Sequence, residues 1–433
     1  MNSGEATLEL IRLSIFLIGA TVVVTLLARR INLPYTVALV FFGIAAGAVA
    51  QPLQVGITPQ LVLVVLLPAL IFEATYRTDF AKLRPSIVGV ALLAGPGVLI
   101  SALIIAAALH FGAGLEWQDA FVAGAMLSAT DPAAVIATFK RLRSPRRLAT
   151  LVEAESVLND GTGIVLFAVA VDLVTRPVGP AEAAFAFVSA VVVSGVLGAA
   201  AGYLASRILP SVGDHLIEVS LSVVLAYGTY LVADGLHQSG VIATAVAGIV
   251  LGTYGRRNGL SPKTEEALDT VWEFVAFLAT AFIFLVVGFS IAANSLLDVA
   301  VPIAWAVVAA LAGRAVIVYG LLGGWSLLPR RVRSAHVGGR SDSRIPLGWL
   351  HVVFWSGLRG AVSTALALSL PLDFPHRAEL QGITFGVVLF TLVVQATTAE
   401  PVLSRWGRKP ASPVRTSRPT ADSSLPADPG TVS

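Results

Sequence analysis

The chain has 433 residues, 56% of them hydrophobic and 13% charged, with a mean hydropathy of +0.83 and a formal net charge of +3. That balance excludes a soluble domain and indicates an all-α polytopic membrane protein. The absence of cysteine excludes disulfides, thiolate metal sites and cysteine catalysis, and the six histidines have no zinc-like spacing. The basic clusters are short and flank apolar segments, so nothing points to nucleic acid.

In chain order, thirteen apolar runs are long enough to cross the hydrocarbon core. They are 7–28, 34–50, 59–77, 86–110, 117–139, 145–173, 182–207, 214–233, 238–255, 262–291, 298–323, 344–370 and 376–402. Run 1 is followed by Arg29 and Arg30, not by a small-residue cleavage site, so it reads as a span. Alternate loops collect the basic residues. Arg29, Arg30, Arg77, Lys82, Arg84, the Lys140–Arg147 cluster, Arg207, Arg256, Arg257 and Arg330–Arg344 lie in one set. The other set holds Arg176 and Arg377, with Arg12 near the start of run 1. This asymmetry puts the N-terminus outside and the C-terminus in the cytoplasm. Residues 1–406 form the expected transmembrane domain. Residues 407–433, rich in Pro, Ser, Thr and Asp, read as a disordered cytoplasmic tail. No nucleotide-binding pattern follows run 13, so any transport is expected to draw on an ion gradient.

Acidic residues inside spans are costly and ask for a function. Run 6 carries Glu153, Glu155 and Asp160, with Ser156 four residues before Asp160 and Glu155 four before Asn159. Each of these pairs shares a helical face, and the two faces adjoin. Run 5 is interrupted by Ser128-Ala129-Thr130-Asp131-Pro132. Pro132 lacks the amide the helical ladder needs, and Thr130 and Asp131 can bond locally, so a break is predicted that frees carbonyls such as that of Thr130. Counted from their opposite entry faces at about 1.5 Å per residue, Asp131 and Asp160 both fall near mid-membrane. Run 12 has a similar interruption, Ser356-Gly357-Leu358-Arg359-Gly360. Runs 5 and 12 traverse in opposite directions, which predicts inverted repeats with two crossed discontinuous helices and span 7 as the connector. Arg314 in run 11 and Arg359 in run 12 need buried partners. Glu155 is the expected mate of Arg314, and Glu153 or Asp131 that of Arg359. Glu73, near the end of run 3, is placed to line a funnel.

Five motifs, in order from run 3 to run 12, make the chain resemble the cation:proton antiporter 1 family, the sodium/proton antiporters and exchangers. They are Ile71-Phe72-Glu73-Ala74, Ser128-Ala129-Thr130-Asp131-Pro132, Glu155-Ser156-Val157-Leu158-Asn159-Asp160, Trp272-Glu273-Phe274-Val275-Ala276-Phe277-Leu278 and Gly357-Leu358-Arg359-Gly360-Ala361. The resemblance implies a homodimer in the cytoplasmic membrane, with a core of spans 4–6 and 11–13. Spans 1–3 and 7–10 would form the dimerisation scaffold, and exchange would be elevator-like. It implies that Asp160 exchanges cation for proton, with Ser156 and the Thr130 backbone as further ligands. Glu73 would assist through water, and Asn159 would tie span 6 to the break. Asp131 falls within the same ion-binding set, while Glu155, Arg314 and Arg359 are structural. Asn159, where electrogenic relatives carry an aspartate, implies electroneutral exchange. Thr280-Ala281 departs from the Asn-Ser of many relatives, which bears on ion preference.

The resemblance implies no cofactor and no nucleotide: the monovalent cation and H⁺ are substrates. Oxygen ligands suit an alkali cation and not a soft metal. The sequence leaves Na⁺, Li⁺ and K⁺ open. A cation channel lacks a repeated filter here, and an intramembrane hydrolase would need His351 as a remote partner of Ser156.

Overall fold

The computed structural model describes residues 3–31, 33–49, 59–78, 87–131, 133–175, 179–258, 260–293, 296–327 and 345–407. Every regular element among them is helical, and helix occurs in each of the thirteen apolar runs. The elements before the first break are α1 (Ser3–Arg30), α2 (Tyr35–Val49), α3 (Leu67–Arg77, entered through a π-helical Leu61–Leu66), α4 (Ile87–Ala94), α5 (Pro96–Ala113) and α6 (Trp117–Met126). After it come α7 (Ala133–Leu142), α8 (Arg146–Thr175), α9 (Pro180–Ile208), α10 (His215–Gly235), α11 (Gly240–Val250) and α12 (Arg256–Asn258). The last are α13 (Pro262–Ala293), α14 (Ala300–Ala315), α15 (Gly323–Leu327), α16 (Leu347–Trp355), α17 (Ala361–Leu368), α18 (Arg377–Phe390) and α19 (Thr397–Trp406). Among the described residues, seven helical stretches are long and apolar enough to cross a membrane: Ile87–Ala113, Arg146–Thr175, Phe185–Ser211, His215–Gly235, Pro262–Ile291, Ala300–Leu327 and Arg377–Trp406. The chain is a multi-pass, all-helical membrane protein.

Lipid gives no hydrophobic push between helices, so close packing of small residues has to hold them. The tightest pairing, α2 against α13, shows this directly. A Cβ on Gly43 would lie 2.5 Å from the Leu285 carbonyl oxygen, and one on Gly288 would lie 2.3 Å from that of Val40. The two backbones therefore touch. Elsewhere α11 packs on α9 and α3, while α5 lies against α6 and α14.

Both expected interruptions are present. Span 5 stops at Met126 and resumes at Ala133; span 12 stops at Trp355 and resumes at Ala361. The two breaks meet, with the Asp131 amide donating to the Leu358 carbonyl at 2.8 Å. Pro132, the residue expected to force the first break, lies outside the described residues, as do the loop residues Lys82, Arg84, Arg176 and Arg330–Arg344 and most of the tail. An additional interruption divides span 4 at Gly95, where Pro96 removes the next amide. The carbonyl of Ala94 accepts instead from the Thr162 hydroxyl of α8 at 2.6 Å, so a side chain satisfies the freed backbone group.

At the end of α6 away from the break, the Asp119 carboxylate is buried and lies 2.6 Å from Nδ1 of the exposed His376, which precedes α18. This contact raises the imidazole above its ordinary range, through the hydrogen bond first and the carboxylate charge second, with Glu379 and Glu116 adding to it. A histidine raised on folding stabilises fully below its unfolded pKa, and its contribution is lost as pH climbs through the folded value. Between pH 6 and 9, the thermal midpoint of the purified protein should fall further for wild type than for His376→Gln. Equal falls would show that the pair is thermodynamically silent.

Candidate functional site

The site is built where α8 passes the two breaks. Over about a turn and a half of α8, Glu155, Ser156, Asn159 and Asp160 cluster where Ser156 and Asn159 bond the unwound chain after α6. Thr130, in that unwound stretch, is held at three points. Its amide donates to Asn159 Oδ1 at 3.3 Å and its hydroxyl accepts from Asn159 Nδ2 at 2.6 Å. Its carbonyl accepts from the Ser156 hydroxyl. Irregular backbone at membrane depth needs its polar groups met inside the protein, and here α8 meets them. Thr130, Ser156, Asn159 and Glu155 are all buried.

Asn159 Nδ2 also donates to Glu155 Oε1 at 3.0 Å. Glu155 in turn receives both terminal nitrogens of Arg314, at 2.7 and 2.9 Å, in a fully buried fork-to-fork pair. Arg314 adds a bond to the Val353 carbonyl of α16 at 2.8 Å, so the pair ties α8, α14 and α16 together. The expected mating of Glu155 with Arg314 is what the structure shows.

The crossing itself is stitched by opposite charges on helix ends. Arg359 Nη1 donates to the carbonyls of Ser128 and Ala129, at 2.8 and 2.9 Å, in the stretch that follows α6. Asp131 Oδ2 accepts from the Ala361 amide at 3.2 Å, at the N-terminus of α17. A cation on carbonyls past a helix C-terminus and an anion on amides at an N-terminus both compensate helix dipoles. Space at this point is fully used: a Cβ on Gly360 would lie 2.1 Å from the Asp131 carboxylate. Arg359 was expected to face Glu153 or Asp131. Its guanidinium lies instead on backbone carbonyls, because the unwound stretch presents them at the crossing. The Arg359 amide and carbonyl also meet the Thr391 hydroxyl, at 3.2 and 3.1 Å, in a π-helical turn (Thr391–Ala396) of the last span.

Asp160 completes the cluster. Its Oδ1 is buried and has no hydrogen-bond partner among the described residues, and it stands one helical turn along α8 from Ser156, whose hydroxyl bonds the Thr130 carbonyl. A buried carboxylate oxygen left open suits a hard monovalent cation or a proton.

Glu73 is elsewhere. Its Oε1 accepts from Arg77 Nη1 at 2.9 Å, and Arg77 also lies 3.3 Å from Glu273 Oε2. Thus Thr130, Ser156, Asn159, Glu155 and Arg314 form one hydrogen-bonded cluster beside Asp160, Asp131 sits at the crossing, and Glu73 stands in a separate ion pair. Ser156 bonds the Thr130 carbonyl, while His351 bonds the Tyr319 hydroxyl at 2.8 Å, so no serine–histidine dyad forms. Thr280, where many relatives carry Asn, lies on α13, which also places the Phe277 ring 5.5 Å from that of Tyr35. Sequence reasoning passed over Arg77, Thr391 and Tyr35. Arg77 lies four residues after Glu73, a spacing that could have announced the pair. Thr391 and Tyr35 carried no local signal.

Comparison with known proteins agrees with this arrangement. NhaS1 of Synechocystis sp., a low-affinity Na(+)/H(+) antiporter, is 38% identical over 399 residues, covering 91% of this chain and 73% of its own. NhaH of Halobacillus aidingensis, a Na(+)/H(+) antiporter, is 35% identical over 410 residues, covering 91% of this chain and 97% of its own. The fold matches that of the sodium proton antiporter MjNhaP1 from Methanocaldococcus jannaschii at pH 8, with a TM-score of 0.74 at 20% identity, over 92% of this chain and 99% of that one. The family model "Sodium/hydrogen exchanger, transmembrane" matches residues 16–405, and the chain belongs to that family of transporters.

Proposed function

We propose that this protein is a secondary antiporter that exchanges Na⁺ or Li⁺ for H⁺ across the cytoplasmic membrane, with Asp160 as the exchanging group. The observation that carries the reading is the open, buried Oδ1 of Asp160, one helical turn from Ser156, whose hydroxyl bonds the Thr130 carbonyl. Proton and cation compete for the same oxygen atoms, and competition at one alternately exposed site couples the two fluxes. The names of the relatives support the choice of ions.

Electroneutral one-for-one exchange follows from how the neighbouring charges are spent. Glu155 is neutralised by Arg314, and Asp131 is engaged at the α17 N-terminus. Asn159 carries no charge and is occupied in holding Thr130. One carboxylate remains to trade one cation for one proton. The mechanistic frame is an elevator movement of a core (spans 4–6 and 11–13) against a scaffold (spans 1–3 and 7–10) in a homodimer. The N-terminus is outside and the C-terminus cytoplasmic.

The test is dequenching of a pH-sensitive dye in everted membrane vesicles, titrated separately with Na⁺, Li⁺ and K⁺ between pH 6 and 9. Recovery with Na⁺ or Li⁺ is the expected result. Recovery with K⁺ alone changes the substrate to potassium. No recovery with any cation, in folded protein, overturns the proposal, and electrical current far above exchanger turnover would replace it with a channel.

A further inference from the structure

The motif Trp272–Leu278 takes no part in the site described above, yet the structure gives it a definite task. Trp272 is buried, donates its Nε1 to the Ser222 hydroxyl at 3.0 Å and packs its ring 4.5 Å from that of Phe72. These contacts fix how α13 is rotated against α3 and α10. With that rotation set, Glu273, Phe277 and Thr280 form a stripe along one face of α13, at spacings of four and three. Two of the three have partners on neighbouring helices: Glu273 lies 3.3 Å from Arg77 of α3, and the Phe277 ring packs 5.5 Å from that of Tyr35 of α2.

The charged end of this stripe forms a graded chain. The Glu273 side chain is 66% exposed, that of Arg77 34% and that of Glu73 19%. A single guanidinium is shared between an outer carboxylate at 3.3 Å and an inner one at 2.9 Å. Arginine keeps its charge at any working pH, so Glu73 has a permanent counter-cation. An incoming monovalent cation that uses Glu73 must compete with that guanidinium for the same oxygen atoms. Glu273 offers the guanidinium a second seat.

Building on the antiport reading, we propose that Arg77 is a positioning residue that sets the half-saturating cation concentration by occupying Glu73, with Glu273 as the seat that draws it away. The pair is partly exposed, so its effect is on apparent affinity and is modest in size.

The experiment measures half-saturating Na⁺ and maximal rate in everted vesicles for single and double variants. Arg77→Gln should lower the half-saturating Na⁺ by roughly 2–5-fold, with the maximal rate held within about twofold, as expected for an ion pair of this exposure. Arg77→Lys, which keeps the charge, should behave like wild type. Glu273→Gln should shift the value the other way, upward, by roughly twofold. Glu273 is exposed, so this variant still reports if Arg77→Gln accumulates poorly. Glu73→Gln should raise half-saturation, and in that background Arg77→Gln should add nothing. An equal effect of Arg77→Gln with and without Glu73 would overturn the proposal, as would no effect in either background. A wild type that responds to no cation would overturn the antiport reading and this inference with it. A responding wild type without the coupling overturns this inference alone.

Discussion

Asp160→Asn should abolish cation-dependent proton exchange, reducing the dye response to that of vesicles without the protein. The amide keeps the size and shape of the carboxylate but has no charge to trade between Na⁺ and H⁺. No neighbour can take over. Glu155 is held by both terminal nitrogens of Arg314, Asp131 by the amide at the start of α17, and Glu73 by Arg77. The same substitution should leave the unfolding temperature unchanged or raise it, because it removes a buried carboxylate with an open oxygen, which is expensive to keep in an apolar interior. Loss of exchange without loss of stability separates a transport role from a structural one. Asp160→Glu keeps the charge on a longer stem and should retain weakened exchange. Wild-type transport by purified, folded Asp160→Asn would remove Asp160 from its assigned role.

The opposite pattern is expected at the buried ion pair. Arg314→Ala should destabilise the protein by about 3–5 kcal/mol, since Glu155 would be left as an uncompensated buried charge. The damage should spread to the site, because Glu155 Oε1 also accepts from Asn159, which holds Thr130. Replacing both partners with apolar residues of similar size should be much milder than removing one, since no charge is then stranded. The readout is the thermal midpoint in detergent for Arg314→Ala, Glu155→Leu and the combined Arg314→Met/Glu155→Leu variant. If the double variant were as unstable as Arg314→Ala, desolvation would not be the source of the cost.

The carboxylates and arginines within the apolar runs thus divide into separate surroundings. Asp131 and Arg359 compensate the ends of two broken helices, and Glu155 with Arg314 clamps three helices. Asp160 keeps a buried oxygen without a partner among the described residues, while Glu73 is paired with Arg77. Burial alone does not distinguish them, since all lie within apolar runs. What distinguishes them is which partner each one meets.

Much of this was legible along the chain because it depends on local chemistry. Hydropathy marks apolar runs long enough to cross a bilayer, and helix is present in each. The polar interruptions at Ser128–Pro132 and Ser356–Gly360 mark the breaks, because backbone polar groups inside lipid must be satisfied by something nearby. Helical spacing alone placed Ser156 over Asp160 and Glu155 over Asn159, and five motifs in order pointed to the family. The break at Gly95 escaped notice although its Gly-Pro was visible, because the Thr162 hydroxyl that makes it tolerable comes from another helix.

Tertiary structure alone decided the pairings. The bond from Arg359 to the Ser128 and Ala129 carbonyls spans more than half the chain, and no periodicity announces it. The same holds for Thr391 on the Arg359 backbone. Membrane helices are drawn together by close packing and by the need to satisfy each polar atom, so partners follow from which faces meet. Composition and spacing therefore determined that this protein is an all-helical membrane protein with interrupted spans and acids at mid-depth. Only the meeting of the two breaks against α8 decided which acid is clamped, which caps a helix, and which keeps an open oxygen.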